Sequence, residues 1–584
     1  MAVDPIWIDD TVNQGGLSDH GKIKGARQKL ADVAKLARPQ RWDSPFCPDM
    51  TDADVAMVLK RPEFQAIDAS RFPNHTPLAG IIRNDARIVD CLPGDILIRE
   101  GDYGNSAFLI LKGELRVVLA PSLPREVLGG VSTGRKGFFE TLAQLWTNSR
   151  ICEVRDVRQY TPQQIHNRAR SAEERIFLTD VPVVLDRHRT ERITSGSLFG
   201  ELAALGRVPR TATIFAENEA LLLEIRWQGL RELYKRDPGW RRQIDENYRE
   251  YALRSHLRGT RIFADLDAAT LDEVAEQTIF ENYGDFDWHV SYKRSRAEGQ
   301  GVGNETVISQ QRDYPDGLLL IRAGFARVSV PYGNSERTLT YLGAGDFFGF
   351  DELYQGWQEK EVVPLETSLA ALGYVDVLRV PTPVLEEHIF PKIAAPTTKL
   401  SDLADRPAAD DQLLEWAVEE RFINGTMAML IDLDRCVRCD DCVKACASTH
   451  GGSPRFIRHG KTIDHWMVAN ACMHCTDPVC MIGCPTGAIH RDLQSGTVVI
   501  NDLTCIGCGT CANSCPYENI RLVEIRDKHA KPIVDPDSEK PIMKATKCDL
   551  CITNPGGPAC VRACPHDALR RVDFRTAIPF RKAS

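Results

Sequence analysis

The sequence has no long apolar run. Nowhere does it reach the roughly eighteen consecutive apolar residues that a membrane-crossing helix requires, so no span is expected. It also lacks an excess of positive charge. Lysine and arginine number 72 against 81 aspartates and glutamates, a net charge of −9, which argues against general affinity for nucleic acid. No G-x-G-x-x-G follows a candidate strand, and no molybdenum, flavin or nicotinamide fingerprint is present, so the chain offers no catalytic constellation of its own. No signal peptide or twin-arginine run precedes Asp9. The expectation is a reducing, cytoplasmic compartment in which disulfides do not persist. What remains is a chain of 584 residues, long enough for three or four domains, with 19 cysteines to explain.

Sixteen of the cysteines fall in four tight groups. Cys436, Cys439, Cys442 and Cys446 read C-x2-C-x2-C-x3-C. Cys472, Cys475, Cys480 and Cys484 read C-x2-C-x4-C-x3-C, with Pro485 next. Cys505, Cys508, Cys511 and Cys515 repeat the first spacing before Pro516. Cys548, Cys551, Cys560 and Cys564 read C-x2-C-x8-C-x3-C before Pro565. A C-x2-C-x2-C turn bends three sulfurs toward one point, and its inward N–H groups offset the anionic charge of an iron–sulfur cluster. The fourth cysteine, before proline, usually ligates the other cluster of a pair. Structural zinc instead uses two C-x2-4-C pairs across a longer spacer, often with histidine. Sixteen thiolates so spaced make four [4Fe–4S] clusters. Cys47, Cys91 and Cys152 stand apart and read as plain thiols.

The front half reads differently. From Ile88 to Leu119, alternating apolar residues such as Ile96 and Ile98, then Phe108 and Ile110, mark strands. Gly94-Asp95, Gly101-Asp102 and Lys112-Gly113 mark the turns of an all-β roll. Between Gly196 and Ile225, Gly200 leads into a short helix through Leu205, with Glu201 at its start and Arg210 nine residues on. A carboxylate there suits a sugar hydroxyl, and an arginine suits a phosphate. These residues make 80–258 resemble a cyclic nucleotide-binding domain, as in catabolite activator protein and kinase regulatory subunits. The resemblance implies that Glu201 takes the ribose 2′-hydroxyl and Arg210 the cyclic phosphate of cyclic AMP or cyclic GMP. The backbone N–H groups of Gly200, Ala203 and Thr211 complete the cradle. It also implies a following helix over 237–258, with Trp240, Ile244, Tyr248 and Tyr251 on its inner face, that moves on binding. Thr211 leaves the base open, since cyclic GMP-preferring kinases often carry threonine there. The chain departs from the family in an insertion over about 120–192, with an amphipathic helix expected at Phe138–Trp146. That segment is either a solvated surface insertion or a partner-docking lid.

A second copy occupies 259–393. Asp316–Gly324 matches the first roll's strand and turn, and Gly345–Leu353 echoes its cassette. Leu365 stands where the first copy has Arg210, so loss of cyclic nucleotide is expected, leaving a packing or dimer surface. Residues 1–79 read as a helical or irregular leader, 394–411 as a linker in place of any helix-turn-helix, and 412–584 as the cluster domain, opened by a helix over 412–420. The expected fold is therefore multidomain: two mainly-β cyclic nucleotide-binding rolls with flanking helices, then an α+β polyferredoxin.

In order and spacing, the four cysteine groups resemble the electron-transfer β subunits of formate dehydrogenases, nitrate reductases and dimethyl sulfoxide reductases, over about 427–572. That resemblance implies crossed ligation. Cys436, Cys439 and Cys442 join Cys564; Cys548, Cys551 and Cys560 join Cys446; Cys472, Cys475 and Cys480 join Cys515; Cys505, Cys508 and Cys511 join Cys484. The clusters then follow one another in a rough line. His450, His459, His465, His474, His490 and His566 read as surface or supporting residues. His474, inside a cluster loop, is the one best placed to tune a potential. Two functions fit. One is an electron-conducting subunit, regulated by cyclic nucleotide, for a partner that holds flavin or molybdopterin. The other is a redox and cyclic-nucleotide sensor without sustained electron flow. A homodimer through the rolls is compatible with both.

Overall fold

The computed structural model describes residues 46–574, apart from 48, 121–180, 182–184, 186–188, 207–208, 299–304, 334, 394–407, 528, 530, 535–538, 553 and 555. The helix expected at Phe138–Trp146 and most of the insertion lie outside the described residues, as does Cys152.

The first roll contains β1 (Ala86–Cys91), β2 (Ile96–Ile98), β3 (Ser106–Lys112), β4 (Glu114–Ala120), β5 (Arg189–Thr194), β6 (Leu198–Phe199), β7 (Thr213–Ala216) and β8 (Ala220–Arg226). They form two four-stranded sheets, β1-β8-β3-β6 and β2-β7-β4-β5, antiparallel throughout. Phe108, Ile110, Leu115, Ile214 and Leu222 fill the space between them. Gly113 turns β3 into β4 at φ 96°. A Cβ there would sit 2.6 Å from the Glu219 carbonyl oxygen, so only glycine allows the close approach.

The second roll contains β9 (Ile279–Tyr283), β10 (Thr306–Ser309), β11 (Gly317–Ala323), β12 (Ala326–Tyr332), β13 (Ser335–Leu342), β14 (Phe347–Phe348), β15 (Ser368–Ala371) and β16 (Val375–Pro381). Its sheets run β9-β16-β11-β14 and β10-β15-β12-β13, strand for strand the order of the first roll. Two mainly-β rolls with flanking helices are thus present. The helix after the first roll differs from the simple one expected over 237–258. It runs Pro238–Tyr248, loosens into a π-helical segment at Arg249–Leu253 and resumes over Arg254–Gly259. Trp240 and Ile244 face inward as expected.

The C-terminal half contains β17 (Ala428–Asp432), β18 (Ile457–Ile463), β19 (Trp466–Asn470), β20 (Ile489–Arg491), β21 (Val498–Ile500), β22 (Arg521–Glu524), β23 (Met543–Thr546) and β24 (Leu569–Val572). They pair as one sheet, β18-β19-β17-β24, and two hairpins, β20-β21 and β22-β23. The helix expected at 412–420 begins earlier and spans Ala408–Glu419. Ala408 and Ala409 favour helix, and Asp410 and Asp411 suit its first turn, so sequence that reads as linker is already helical.

The halves are not loosely tethered. One apolar core runs from Leu223, Leu230 and Leu233 of the first roll into Val479, Ile482, Ile489 and Val498. Phe325, Tyr341 and Leu372 of the second roll pack with Leu414, Phe422 and Phe574. No helix among the described residues is long and apolar enough to cross a membrane.

Candidate functional site

Each cysteine loop begins with a left-handed residue. The residue before the second cysteine is left-handed in all four: Arg438 (φ 61°), His474 (49°), Gly507 (70°) and Leu550 (58°). A side chain there costs about 1–2 kcal/mol. Three loops bear that cost, and in the fourth group Cys551 is itself left-handed (φ 52°).

The sixteen sulfurs then gather by fours, across the sequence groups. One cavity is lined by Cys436, Cys439, Cys442 and Cys564, and another by Cys484, Cys505, Cys508 and Cys511. The Cys475 and Cys480 thiols have Cys472 and Cys515 as charged neighbours, and Cys560 has Cys446, Cys548 and Cys551. Burial, then adjacent sulfurs, push the Cys511 and Cys560 thiols up to about 12. Four thiolates so close in an apolar setting repel one another unless a cationic centre lies between them. The donor set therefore fits iron–sulfur clusters. Backbone N–H groups aimed at sulfur add to that fit, from Arg455 to Cys446 (3.2 Å) and from Ala568 to Cys564 (3.3 Å).

Four cations, three of them buried and Arg571 half-buried, lie behind the loops, and sequence reading missed them. Lys544 Nζ donates to the Cys505 carbonyl (2.6 Å), Lys547 Nζ to that of Cys548 (2.9 Å), and Arg491 to that of Cys475 (2.8 Å). Arg571 donates to Cys548 Sγ (3.0 Å) and to the Cys472 carbonyl (3.4 Å). His450 is a supporting residue, one of the two roles the sequence allows. Its Nε2 lies 3.0 Å from Asp549 and its Nδ1 2.8 Å from the Cys446 carbonyl, tying the first cysteine helix to the fourth loop. Burial opposes its charge, but the Asp549 carboxylate and the Cys446 and Cys551 sulfurs raise its pKa well above the usual histidine value. His474 is the reverse. Burial, then the Lys547 and Arg571 charges, depress its pKa, and neither ring nitrogen has a hydrogen-bond partner.

In the first roll, Glu201 and Arg210 are both buried. Arg210 lies flat over Gly104 and Gly200, where a Cβ would meet its guanidinium at 2.1 and 2.4 Å. It donates to the carbonyls of Gly200 and Ser106, the latter at 2.7 Å. Glu201 Oε1 accepts from Asn247 Nδ2 (3.2 Å), whereas Oε2 is buried without a partner. Burial lifts the Glu201 carboxyl to about 7, against the Asn247 bond and the Arg210 charge. Asn247 lies on the helix that follows the roll, so that helix touches the cassette through this amide. Gly200 and Ala203 open and line the same short helix, and Thr211 is exposed beside Arg210.

The second roll lacks these groups. Leu365 is packed among Leu319, Phe348 and Leu369. Phe350 follows Gly349 as Glu201 follows Gly200, and Glu352, two residues on, accepts from the Glu366 N–H at 3.0 Å. The cavity here is bordered by Arg379, which is held by Glu281 (2.8 and 2.9 Å) and Asp316.

Comparison with known proteins agrees with the cysteine half. The family model for the 4Fe-4S dicluster domain matches residues 463–574. Electron transport protein HydN of Escherichia coli is 35% identical over 161 residues, 25% of this chain and 87% of HydN. An iron-sulfur protein of Rhodospirillum rubrum is 32% identical over 158 residues, 24% of this chain and 79% of that protein. Among solved structures, the regulatory domain of Toxoplasma gondii PKA with cAMP aligns to 61% of this chain and 95% of its own, at 16% identity and a TM-score of 0.20. Through the segment that spans most of HydN, this chain belongs to the ferredoxin-like family of 4Fe–4S electron transport proteins.

Proposed function

We propose that the chain is an electron-conducting subunit with four [4Fe–4S] clusters, serving a partner that holds the substrate site, and that cyclic nucleotide in the first roll regulates it. The carrying observation is the crossed gathering of sixteen thiols into four sets. Each bound cluster takes up and releases one electron; the protein supplies position and charge. The sets follow one another along the chain's own elements. The helix Asp441–Thr449 carries Cys442 of one set and Cys446 of the next. Arg571 touches Cys548 and Cys472, joining the second set to the third. The helix Thr510–Ser514 separates Cys515 of the third from the body of the fourth and carries Cys511. Cys439 and Cys508, in the first and last sets, are exposed. Val437 and Ile506, between the ligand cysteines of those two loops, are exposed as well. Two accessible ends suit an entry and an exit for electrons.

For the nucleotide, Arg210 supplies the charge for a cyclic phosphate and the unpartnered Glu201 Oε2 accepts a ribose hydroxyl. Gly200, Ala203 and Thr211 supply backbone N–H groups. The second roll, with Leu365 in place of the arginine, serves as packing for the cluster half.

Anaerobic isolation of the native complex with cofactor analysis tests this reading. About sixteen irons per chain are expected, together with a copurifying flavin- or molybdopterin-containing subunit. Stoichiometric zinc with little iron sinks it. A second reading, a redox and cyclic-nucleotide sensor, is favoured by the rolls' direct contact with a cluster loop, where Trp288 Nε1 donates to Asp477 at 2.9 Å. A stable homodimer without partner, whose nucleotide affinity changes on reduction, selects the sensor.

A further inference from the structure

Of the four cations behind the cluster loops, Arg491 alone among the described residues is gripped by the first roll. It closes β20 and is 7% exposed. One terminal nitrogen donates to the carbonyls of Cys475 and Thr476, both at 2.8 Å, and the other to Gly496 at 2.8 Å. Carbonyl dipoles orient a guanidinium without cancelling its charge. Its neighbours are the Tyr103 ring and the sulfurs of Cys475, Cys480 and Cys472. The positive charge therefore faces one set of thiols from a fixed position in a medium that screens poorly.

The fixing comes from the turn Asp102–Asn105 of the first roll. Asn105 Nδ2 donates to the Arg491 carbonyl (3.2 Å), and the Arg491 N–H donates back to Asn105 Oδ1 (3.4 Å). The Tyr103 N–H donates to Leu493 at 2.7 Å. The Tyr103 ring stands 5.8 Å from the guanidinium and packs on Gly496, where a Cβ would come within 2.5 Å of it. The same turn is bound from its other side by the cassette. The Arg210 N–H donates to the Asp102 carbonyl (2.7 Å), and Tyr103 bridges Pro209.

We infer that Arg491 is a positioning cation that raises the reduction potential of the cluster held by Cys472, Cys475, Cys480 and Cys515, and that the first roll holds it there through Tyr103 and Asn105. Reduction adds one negative charge to the cluster, so a buried fixed cation favours the reduced form. A β-roll is thereby part of the electrostatic wall of an iron–sulfur site. The inference rests on the four-cluster reading above.

Redox titration of the full chain, followed by the electron paramagnetic resonance of its reduced clusters, is the test. In Arg491→Gln one couple moves down, by about 59 mV for each tenfold fall in the reduced-to-oxidised ratio. Arg491→Lys retains the charge and moves that couple less. Tyr103→Leu and Asn105→Ala, at the residues that hold Leu493 and Arg491, move the same couple in the same direction. Iron is counted in every sample. A wild-type chain well short of sixteen irons defeats the four-cluster reading itself. A full complement with an unmoved couple in Arg491→Gln overturns the inference alone. So does an upward shift, the sign expected if water merely enters. Where Arg491→Gln loses its cluster, the two roll variants decide: a downward shift supports the cation's role, and none overturns it.

Discussion

Glu201 and Arg210 show how burial sets the behaviour of single residues. Removal of Arg210 takes away a buried positive charge at the cassette. Arg210→Ala is expected to weaken cyclic nucleotide binding by roughly ten- to a hundredfold, the cost of one charge-assisted bond, measured by calorimetry on the full chain. Affinity equal to the wild type would place the phosphate elsewhere. Glu201 carries a pH signature. Its carboxyl is lifted from 4.5 to about 7, chiefly by burial. The folded state therefore binds this proton more tightly than the unfolded state. Its contribution is fully present below about 4.5 and is lost as pH rises through about 7. Thermal melting of the roll should fall across that window, and Glu201→Gln should flatten the slope. A slope retained in Glu201→Gln would assign the proton to another group.

At the scale of elements, the four cysteine loops share a left-handed residue before the second cysteine, and the helices between them do the crossing. The helix Asp441–Thr449 begins with a ligand of one set and carries Cys446 to another. Cys446→Ser is therefore expected to damage the cluster of Cys548, Cys551 and Cys560 while leaving that of Cys436, Cys439 and Cys442 with its signal, as resolved by Mössbauer or paramagnetic resonance spectra. Loss confined to the Cys436 cluster would show that ligation is not crossed. The four loops were legible because their cysteines are local: three ligands fall within nine residues or fewer in three of the groups. The cassette was legible for the same reason, with Glu201 and Arg210 on one short segment. Asn247, Arg491, Lys544 and Arg571 were not. Each reaches its target from a distant place in the chain, and a lone arginine or lysine has no pattern to mark it.

Over the whole molecule, the shared apolar core makes the halves interdependent. Leu223, Leu230 and Leu233 of the first roll pack with Val479, Ile482 and Ile489, in the same core as Cys480 and Cys484. Removing iron frees the loops that hold those residues, because clusters that bind only the folded form stabilise it. Chelation should thus raise amide hydrogen exchange in the cluster half and also in the turn Asp102–Asn105. Exchange unchanged in that turn would mean that the roll stands by itself.

The sequence alone determined the parts: four cysteine loops, two rolls, a cassette with Glu201 and Arg210 in the first and Leu365 in the second. These follow from short-range rules of spacing, alternation and turn chemistry, which act within a dozen residues. Only the tertiary structure decided how the parts meet. The first roll lies against the loop of Cys475, its Tyr103 and Asn105 hold Arg491, and helix Ala408–Glu419 docks the second roll on the ferredoxin half. Such contacts depend on faces assembled from segments hundreds of residues apart. Their energies come from burial and from dipoles set around a charge, neither of which leaves a local trace in the order of amino acids.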